Sequence, residues 1–309
     1  MDARIHALPF DPAALQGLSA TLMQSHHQYN YGGAVKRLNA IRAQLAAMPF
    51  AAAAGFLLNG LKREELVAAN SMLLHELYFA SLGGDGRTME AAMQLALQAS
   101  FGSVERWREE FVAMGKAQAG GSGWVLLVFQ PREGSLVNQW AADHAHALAG
   151  GVPLLALDMY EHAYHLDFGA AAAAYVEAFM CNIDWAGVYL RYQQAVHAAS
   201  ESFGATLEEA DAALLVDVRR SGVFAQARTR IPGARWRDPA RVSSWAGELP
   251  ADREVLVYCV YGHEVSRSTA LRLRAAGLNA RYLRGGIDGW QAAGRPTEPK
   301  ESDSSAQPS

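Results

Sequence analysis

The sequence has little cysteine and no long hydrophobic run. Only two of its 309 residues are cysteine, Cys181 and Cys259, too few for the disulfide framework of a small secreted domain. The longest apolar run, "LAAMPFAAAAGFLL", has fourteen residues and contains a proline, whereas a membrane-spanning helix needs about 20. The N-terminus "MDARIHALPFDP" lacks the apolar core of a signal peptide. We therefore expect a cytoplasmic protein with no membrane partner.

An excess of charge of one sign is also missing. The formal net charge is -4, which gives no reason to expect a nucleic-acid partner. The charge is unevenly distributed, however. Residues 206–297 carry fourteen arginines against ten acidic residues, whereas residues 1–205 carry twelve basic against eighteen acidic residues. We expect a small anionic substrate to prefer the later part of the chain.

Hydrophobic periodicity divides the first two-thirds of the chain into two parts. Residues 11–47 and the stretch "REELVAANSMLLHELYFASLGG" have apolar side chains at helical spacing. They predict a helical hairpin over residues 1–88. Further on, "SGWVLLVFQP", "GSLVNQWA" and "GVPLLALD" are short, β-prone and bounded by glycine or proline. They predict a small sheet within an α/β domain over residues 89–200.

A second α/β pattern follows. The strands "ALLVDVR", "EVLVYCV" and "ARYLRGG" alternate with helical segments, which is typical of a mainly parallel sheet. We assign it to residues 206–297. Residues 298–309 are polar and rich in proline and serine, which predicts a disordered tail. The predicted fold class is therefore multi-domain: a helical hairpin plus an α/β part, then a second α/β domain.

The stretch "LDMYEHAYHL" contains a candidate metal site. Asp158 and His162 lie four residues apart, so they can point the same way on a helix or a strand-to-helix turn. Carboxylate and imidazole are ligands of transition metals. Taken alone this signal is weak, because an aspartate after a strand is more often the N-cap of the following helix. His26 and His75 lie in the two long helices and could converge with the pair, although a single histidine on an apolar face is more often a core residue.

Several motifs together carry a family resemblance. The strings "LPFDPAAL", "SHH", "LHELYF", "FGSVERWREEF", "GSGWVLLV" and "LDMYEHAYHLDF" occur in that order across residues 6–190 and resemble the iron/manganese superoxide dismutases. The resemblance implies that superoxide is the substrate, that the chain forms a homodimer, and that one manganese or iron ion is bound. It implies that the four protein ligands of this ion are His26, His75, Asp158 and His162.

The resemblance also implies roles for residues around the metal. Gln139 matches the glutamine that contacts metal-bound water in manganese-type members, which favours manganese slightly over iron. Glu161 and Tyr164 match residues that reach the partner subunit, where the glutamate would hydrogen-bond a ligand histidine.

The chain departs from the family at the entrance to the metal. Ala34 and Asn30 replace a tyrosine and a histidine of the proton-relay network, and His165 stands where a tyrosine usually partners that histidine. Asn30 and His165 could therefore be a swapped pair. These departures leave an alternative open, in which the first part of the chain is a metal-binding dimeric scaffold of low dismutase activity that serves the C-terminal domain.

Cys259 lies between an apolar strand and an amphipathic helix. Such a position lowers a thiol pKa and cradles anions, although a buried cysteine can also serve as a small hydrophobe. With "LLVDVRRSGVF", "TRIPGARW" and "YLRGGIDGW", the segment resembles a rhodanese domain. The resemblance implies that Cys259 carries sulfur as a persulfide, taken from thiosulfate or another donor.

Two arginines are candidate anion-binding residues of this domain. Arg219 belongs to a string that matches the family's "DxR" element. Arg267 follows a cysteine loop that is longer than usual, and it is either an oxyanion contact or a solvated helix arginine. The longer loop also permits a role in sensing another oxyanion.

Overall fold

The structure is a computed structural model that describes residues 2–300. These residues form two compact units, each assembled from three segments. No helix among residues 2–300 combines the length and the apolar character needed to cross a membrane. The first unit comprises residues 2–90, 105–128 and 137–191, and the second unit comprises residues 91–104, 129–136 and 192–300.

The first unit begins with a helical hairpin, as predicted. One helix runs through a π-helical turn without a break, and a single long helix returns beside it. Apolar residues on one face of each helix form the contact, with Leu38, Ile41, Leu45 and Ala68 in one buried cluster. The bounds are α1 Ala20–Ser25, the π-helical turn His26–Tyr31, α2 Gly32–Ala46 and α3 Gly55–Ala80.

The predicted small sheet follows, with helices on both sides of it in the sequence. Its strand order is β2-β1-β3, so β1 is central, and all but the last of its residues are buried. The last residue of β3, Asp158, is buried as well. The bounds are α4 Ala91–Phe101, α5 Val104–Ala117, β1 Trp124–Gln130, β2 Ser135–Ala141, β3 Val152–Asp158, α6 His165–Phe168, α7 Ala172–Met180 and α8 Trp185–Ser200.

The second unit contains the predicted parallel sheet. Five strands have the order β4-β9-β8-β5-β7, and every neighbouring pair is parallel. The bounds are β4 Gly204–Ala205, β5 Leu214–Asp217, α9 Ser221–Gln226, β6 Thr229–Arg230, β7 Arg235–Trp236, α10 Val242–Trp245, β8 Val255–Tyr258, α11 Glu264–Ala275, β9 Ala280–Leu283, α12 Gly286–Ala292 and β10 Glu298–Pro299.

The register of this sheet places the cysteine loop. Asp217 pairs with Tyr258, so β5 and the central strand β8 end at the same edge. Cys259 follows directly, and α11 starts at Glu264. In a parallel sheet this carboxyl edge is where ligands usually bind.

The C-terminal prediction needs a correction. Residues Glu298 and Pro299, placed in a disordered tail, instead form β10 and pair antiparallel with Arg230 and Thr229 of β6. A two-residue strand is too short to leave a pattern in the sequence. The rest of the predicted tail, residues 301–309, lies outside the described residues.

Arg272 of α11 ties together the three segments of the second unit. Its guanidinium donates to Ala99 O at 2.9 Å, Ser100 Oγ at 2.8 Å and Gly134 O at 3.1 Å. Gly134 has a φ of +63°, and a Cβ there would lie 2.7 Å from Leu271 Cβ. The turn between β1 and β2 and the end of α4 are therefore fixed on α11.

Candidate metal centre and cysteine loop

Four side chains from separate elements of the first unit converge, and they are the four predicted ligands. His26 opens the π-helical turn and His75 lies on α3. Asp158 ends β3, and His162 lies in the following short helical turn, Glu161–Ala163. A π-helical turn inserts one extra residue into a helix and often marks a functional site.

The distances fit a single ion. Asp158 Oδ2 lies 3.2 Å from Nε2 of both His26 and His162, and 3.5 Å from Nε2 of His75. The ligand atoms all lie within 4.8 Å of one another. Atoms bound at about 2.0–2.2 Å to one ion are separated by roughly 3–4 Å. Three nitrogens and one oxygen are therefore positioned to bind one metal.

The electrostatics keep these ligands in their metal-binding forms. Burial lowers the pKa of His26 and lowers that of His75 to about 3, so both rings are neutral at pH 7. Burial opposes the charge of Asp158, but the neighbouring His162 and His26 outweigh it and hold the pKa of Asp158 well below its usual range. Metals bind neutral imidazole and ionised carboxylate.

His26 supplies an independent test of the fit. Within residues 2–300, neither of its buried ring nitrogens makes a hydrogen bond of good geometry, although Nε2 lies 3.2 Å from Asp158 Oδ2. A buried polar atom without a partner costs about 1–3 kcal/mol. A bond to a metal would satisfy one of these nitrogens, so the residues present fit a mononuclear site.

Neighbouring groups fix the orientation of the ligands. His75 Nδ1 donates to Ser71 O at 2.6 Å, which leaves Nε2 free to bind metal. Asp158 Oδ1 accepts from the Tyr160 backbone N–H at 2.8 Å, and the Tyr175 hydroxyl donates to Asp158 O at 2.8 Å. Contacts of this kind set ligand orientation and basicity.

His144 is a residue that the sequence did not reveal. Its Nδ1 accepts a hydrogen bond from Trp124 Nε1 at 3.0 Å. Its ring stacks on Tyr160, with centroids 4.7 Å apart, and Tyr160 stacks on the ligand His162 at 5.4 Å. His144 lies in the aperiodic loop between β2 and β3, where no sequence pattern marks it.

Gln139 does not take the predicted position beside the metal. Its Oε1 accepts from the Leu148 backbone N–H at 3.1 Å. The side chain lines a cavity of about 370 Å³ whose other walls are largely leucine, including Leu74 and Leu126. The contact with metal-bound water therefore stays a prediction that this hydrogen bond does not support, and the preference for manganese loses its main support.

The other predicted neighbours of the metal differ in how exposed their side chains are. Glu161 is exposed, so its role at a partner subunit stays a prediction. Tyr164 is only 2% exposed and stacks on Tyr175 within its own chain, which corrects the expectation that it reaches a partner. Asn30 is half-buried and His165 is exposed. Their proposed pairing stays a hypothesis.

The cysteine loop of the second unit is tightly held. Cys259 is 6% exposed, and its Sγ lies 3.2 Å from Ser266 Oγ. Backbone N–H groups of Ile287 and Asp288 donate to Cys259 O and Val260 O. Gly262 has a φ of +71°, and a Cβ there would lie 2.6 Å from Leu283 O. The "GGIDGW" segment thus fixes the loop. Cys259 and Cys181 are both free thiols.

Both candidate anion-binding arginines are bonded inside the protein. Arg219 Nε donates to the two carboxylate oxygens of Asp217 at 3.0 and 2.9 Å. Arg267 Nε donates to Gly262 O at 3.0 Å, and its Nη1 donates to Glu201 Oε2 at 3.0 Å. These donors hold the loop and the strand end, and contact of either guanidinium with an oxyanion stays a prediction.

Comparison with known proteins covers both parts of the chain. Residues 89–191 match the family model of the C-terminal domain of iron/manganese superoxide dismutases. Residues 200–293 match that of the rhodanese-like domain. An iron superoxide dismutase of Cupriavidus metallidurans is 64% identical over 186 residues, which cover 60% of this chain and 94% of the relative. A manganese superoxide dismutase of Haloferax volcanii is 33% identical over 202 residues, covering 63% and 97%.

Fold and site together define a protein with a three-histidine, one-carboxylate metal centre on a helical hairpin and an α/β part, joined to a rhodanese-like parallel sheet with a cysteine at its carboxyl edge. The chain belongs to the iron/manganese superoxide dismutase family, and it carries a rhodanese-like domain after the dismutase part.

Proposed function

We propose that the chain converts superoxide to oxygen and hydrogen peroxide at a metal held by His26, His75, Asp158 and His162. The observation that carries the proposal is the convergence of these four ligand atoms within 4.8 Å around buried His26 nitrogens that make no hydrogen bond of good geometry within residues 2–300. A bound metal would supply the one-electron oxidation and reduction of superoxide.

The chain's own residues would prepare and protect this chemistry. Ser71 O selects the Nδ1–H tautomer of His75, and Tyr160 N–H and Tyr175 hold Asp158. Because Trp124 donates to His144 Nδ1, the neutral His144 ring carries its proton on Nε2. We propose His144 as a group that passes a proton toward the metal, because its ring stacks on Tyr160, which stacks on the ligand His162, and because the usual entrance tyrosine is replaced by Ala34.

We propose iron as the metal. The relative with 64% identity is named an iron enzyme, and Gln139, which favoured manganese, is bonded to Leu148 instead. Metal analysis of the purified protein, together with activity after reconstitution with iron or manganese, tests this assignment. Higher activity with manganese would overturn it.

The dismutase proposal is tested by Asp158→Ala. We expect loss of bound metal and at least a hundredfold loss of superoxide turnover, because the variant removes the only anionic ligand. Asp252→Ala, at an exposed position, is the matched control and should behave as wild type. Wild-type protein that binds metal without turnover would instead support the scaffold alternative.

We propose a second function for Cys259, that of a sulfur carrier. The support is the position of Cys259 between β8 and α11, its contact with the Ser266 hydroxyl and the rhodanese-like family match. The persulfide is detected as thiocyanate released by cyanide after incubation with a sulfur donor. Cys259→Ser should abolish the signal and Cys181→Ser should retain it; a signal that survives in Cys259→Ser would contradict the proposal.

We also propose that the dismutase part forms a homodimer through the surface that carries Glu161. Glu161 is exposed directly beside the ligand His162, and nearby Leu166 is 60% exposed. Sedimentation velocity of wild type and Glu161→Ala tests this. A monomeric wild type would rule it out.

A further inference from the structure

We infer that Cys259 takes its sulfur from an organic persulfide rather than from the thiosulfate dianion. The inference rests on the proposed sulfur-carrying function and specifies the class of donor. It follows from how the charges around the cysteine loop are arranged.

The arginine of the loop is not available to a dianion. Besides its bonds to Gly262 O and Glu201, Arg267 donates to Ser200 Oγ at 3.3 Å. Its guanidinium lies 4.2 Å from the centre of the Tyr282 ring. Nε and Nη1 of this guanidinium are therefore engaged by protein partners, and Arg267 is only 9% exposed, which limits the access of an anion to it.

The arginines of the two flanking motifs are also bonded to carboxylates. Arg219 makes a buried ion pair with Asp217, and its guanidinium donates further to Thr229 O at 3.0 Å. Arg284, directly before the "GGIDGW" segment, shares Glu201 with Arg267. Two carboxylates therefore offset part of the positive charge of these three arginines.

A buried carboxylate lies in the first turn of the helix that follows the cysteine loop. Glu264 starts α11, five residues after Cys259, and is 6% exposed. Gln193 Nε2 donates to Glu264 Oε2 at 3.3 Å. Because Glu264 already interacts with the positive end of the helix, that end is partly neutralised, and a dianion would meet a negative charge beside it.

An organic persulfide satisfies the same chemistry without a second negative charge. The Cys259 sulfur attacks the outer sulfur of R–S–SH, a new S–S bond forms, and the donor's S–S bond breaks. The electron pair leaves on the donor's inner sulfur, which takes up the thiol proton of Cys259. The products are Cys259–S–SH and R–SH, with no net oxidation. The Ser266 hydroxyl, 3.2 Å from Sγ, can stabilise the attacking thiolate.

Three donors of different charge test the inference on the full-length protein. They are cysteamine persulfide, which is cationic, N-acetylcysteine persulfide, which carries a carboxylate, and thiosulfate. The measurement is the initial rate of persulfide formation on Cys259, followed by mass spectrometry, with Cys259→Ser as the blank. We expect the rate to fall in that order. The rate with cysteamine persulfide should exceed the rate with thiosulfate by about tenfold or more.

A variant isolates the charge. Glu264→Gln keeps a side chain that can bond Gln193 and should raise the thiosulfate rate relative to that of cysteamine persulfide. The matched control is Glu248→Gln, an exposed partner of Arg237, which should leave the ratio unchanged. Thiosulfate loading as fast as cysteamine persulfide loading in wild type would overturn the inference and leave the carrier function standing. Absence of loading with all three donors would overturn the carrier function itself.

Discussion

At the metal centre two buried nitrogens of His26 make no hydrogen bond of good geometry within residues 2–300, whereas at the cysteine loop Arg267, Arg219 and Arg284 are all bonded to protein carboxylates. Both regions are rich in ionisable side chains, so composition alone would rank them as equally good sites. The difference lies in what can still be bound: an ion would supply a partner for one His26 nitrogen, whereas the three arginines already have protein partners.

Charged side chains also have different roles at the metal centre and at the cysteine loop. Asp158 lies among three imidazole rings, of which His26 and His75 are neutral at pH 7, and the four ligand atoms can bind a cation. At the cysteine loop Arg219, Arg267 and Arg284 are bonded to Asp217 and Glu201 in advance, so the reactivity of the loop depends mainly on the thiol and on the shape of the loop. We therefore expect the metal centre to respond strongly to loss of its ligand and the loop to respond weakly to loss of one charge.

Removal of the metal should give the largest effect. A ligand present at a thousand times its dissociation constant stabilises the folded state by about 4 kcal/mol, which corresponds to roughly 10 °C for a domain of this size. Calorimetry of wild type with and without chelator should show this loss in the unfolding temperature. Asp158→Ala should be insensitive to chelator. The chelator should not change persulfide loading of Cys259. If it lowered persulfide loading as much as it lowered dismutase turnover, the contrast between the metal centre and the cysteine loop would be contradicted.

Arg272→Ala should give the next largest effect, this time in the second unit. The variant leaves the carbonyls of Ala99 and Gly134 without a buried donor, which should cost about 3 kcal/mol of unfolding free energy. Urea denaturation measures it. Arg237→Ala, which removes an exposed pair with Glu248, should cost less than about 1 kcal/mol. Similar losses in the two variants would show that Arg272 does not tie the segments together.

His144→Ala should lower dismutase turnover about tenfold at unchanged metal content, since groups around metal ligands typically contribute factors of 10–100. The variant removes both the Trp124 acceptor and the ring stacked on Tyr160. His144→Gln should recover part of the activity, because an amide can also accept from Trp124. Full activity in His144→Ala would remove His144 from the mechanism.

The order of elements was predictable because each element rests on a local period, whereas the four ligands were named from the resemblance of local strings to the iron/manganese superoxide dismutases. The contacts of Gln139, His144 and Arg267 were not predictable, because their partners lie 9, 20 and 66 residues away. At a strand end or in a loop, such partners decide where a side chain points. The π-helical turn at His26 was missed because its six residues have an ordinary helical pattern.

Gln139→Ala should give the smallest effect and provides the sharpest test of this distinction. Its amide faces the leucine-lined cavity and bonds the Leu148 backbone, so its loss should cost about 1 kcal/mol of stability and change turnover less than twofold. Stopped-flow decay of superoxide and thermal unfolding measure the two quantities. A tenfold loss of turnover at unchanged metal content would return Gln139 to the metal-bound water. In that case the family resemblance, rather than the observed hydrogen bond, would be the better guide to the residues around the metal.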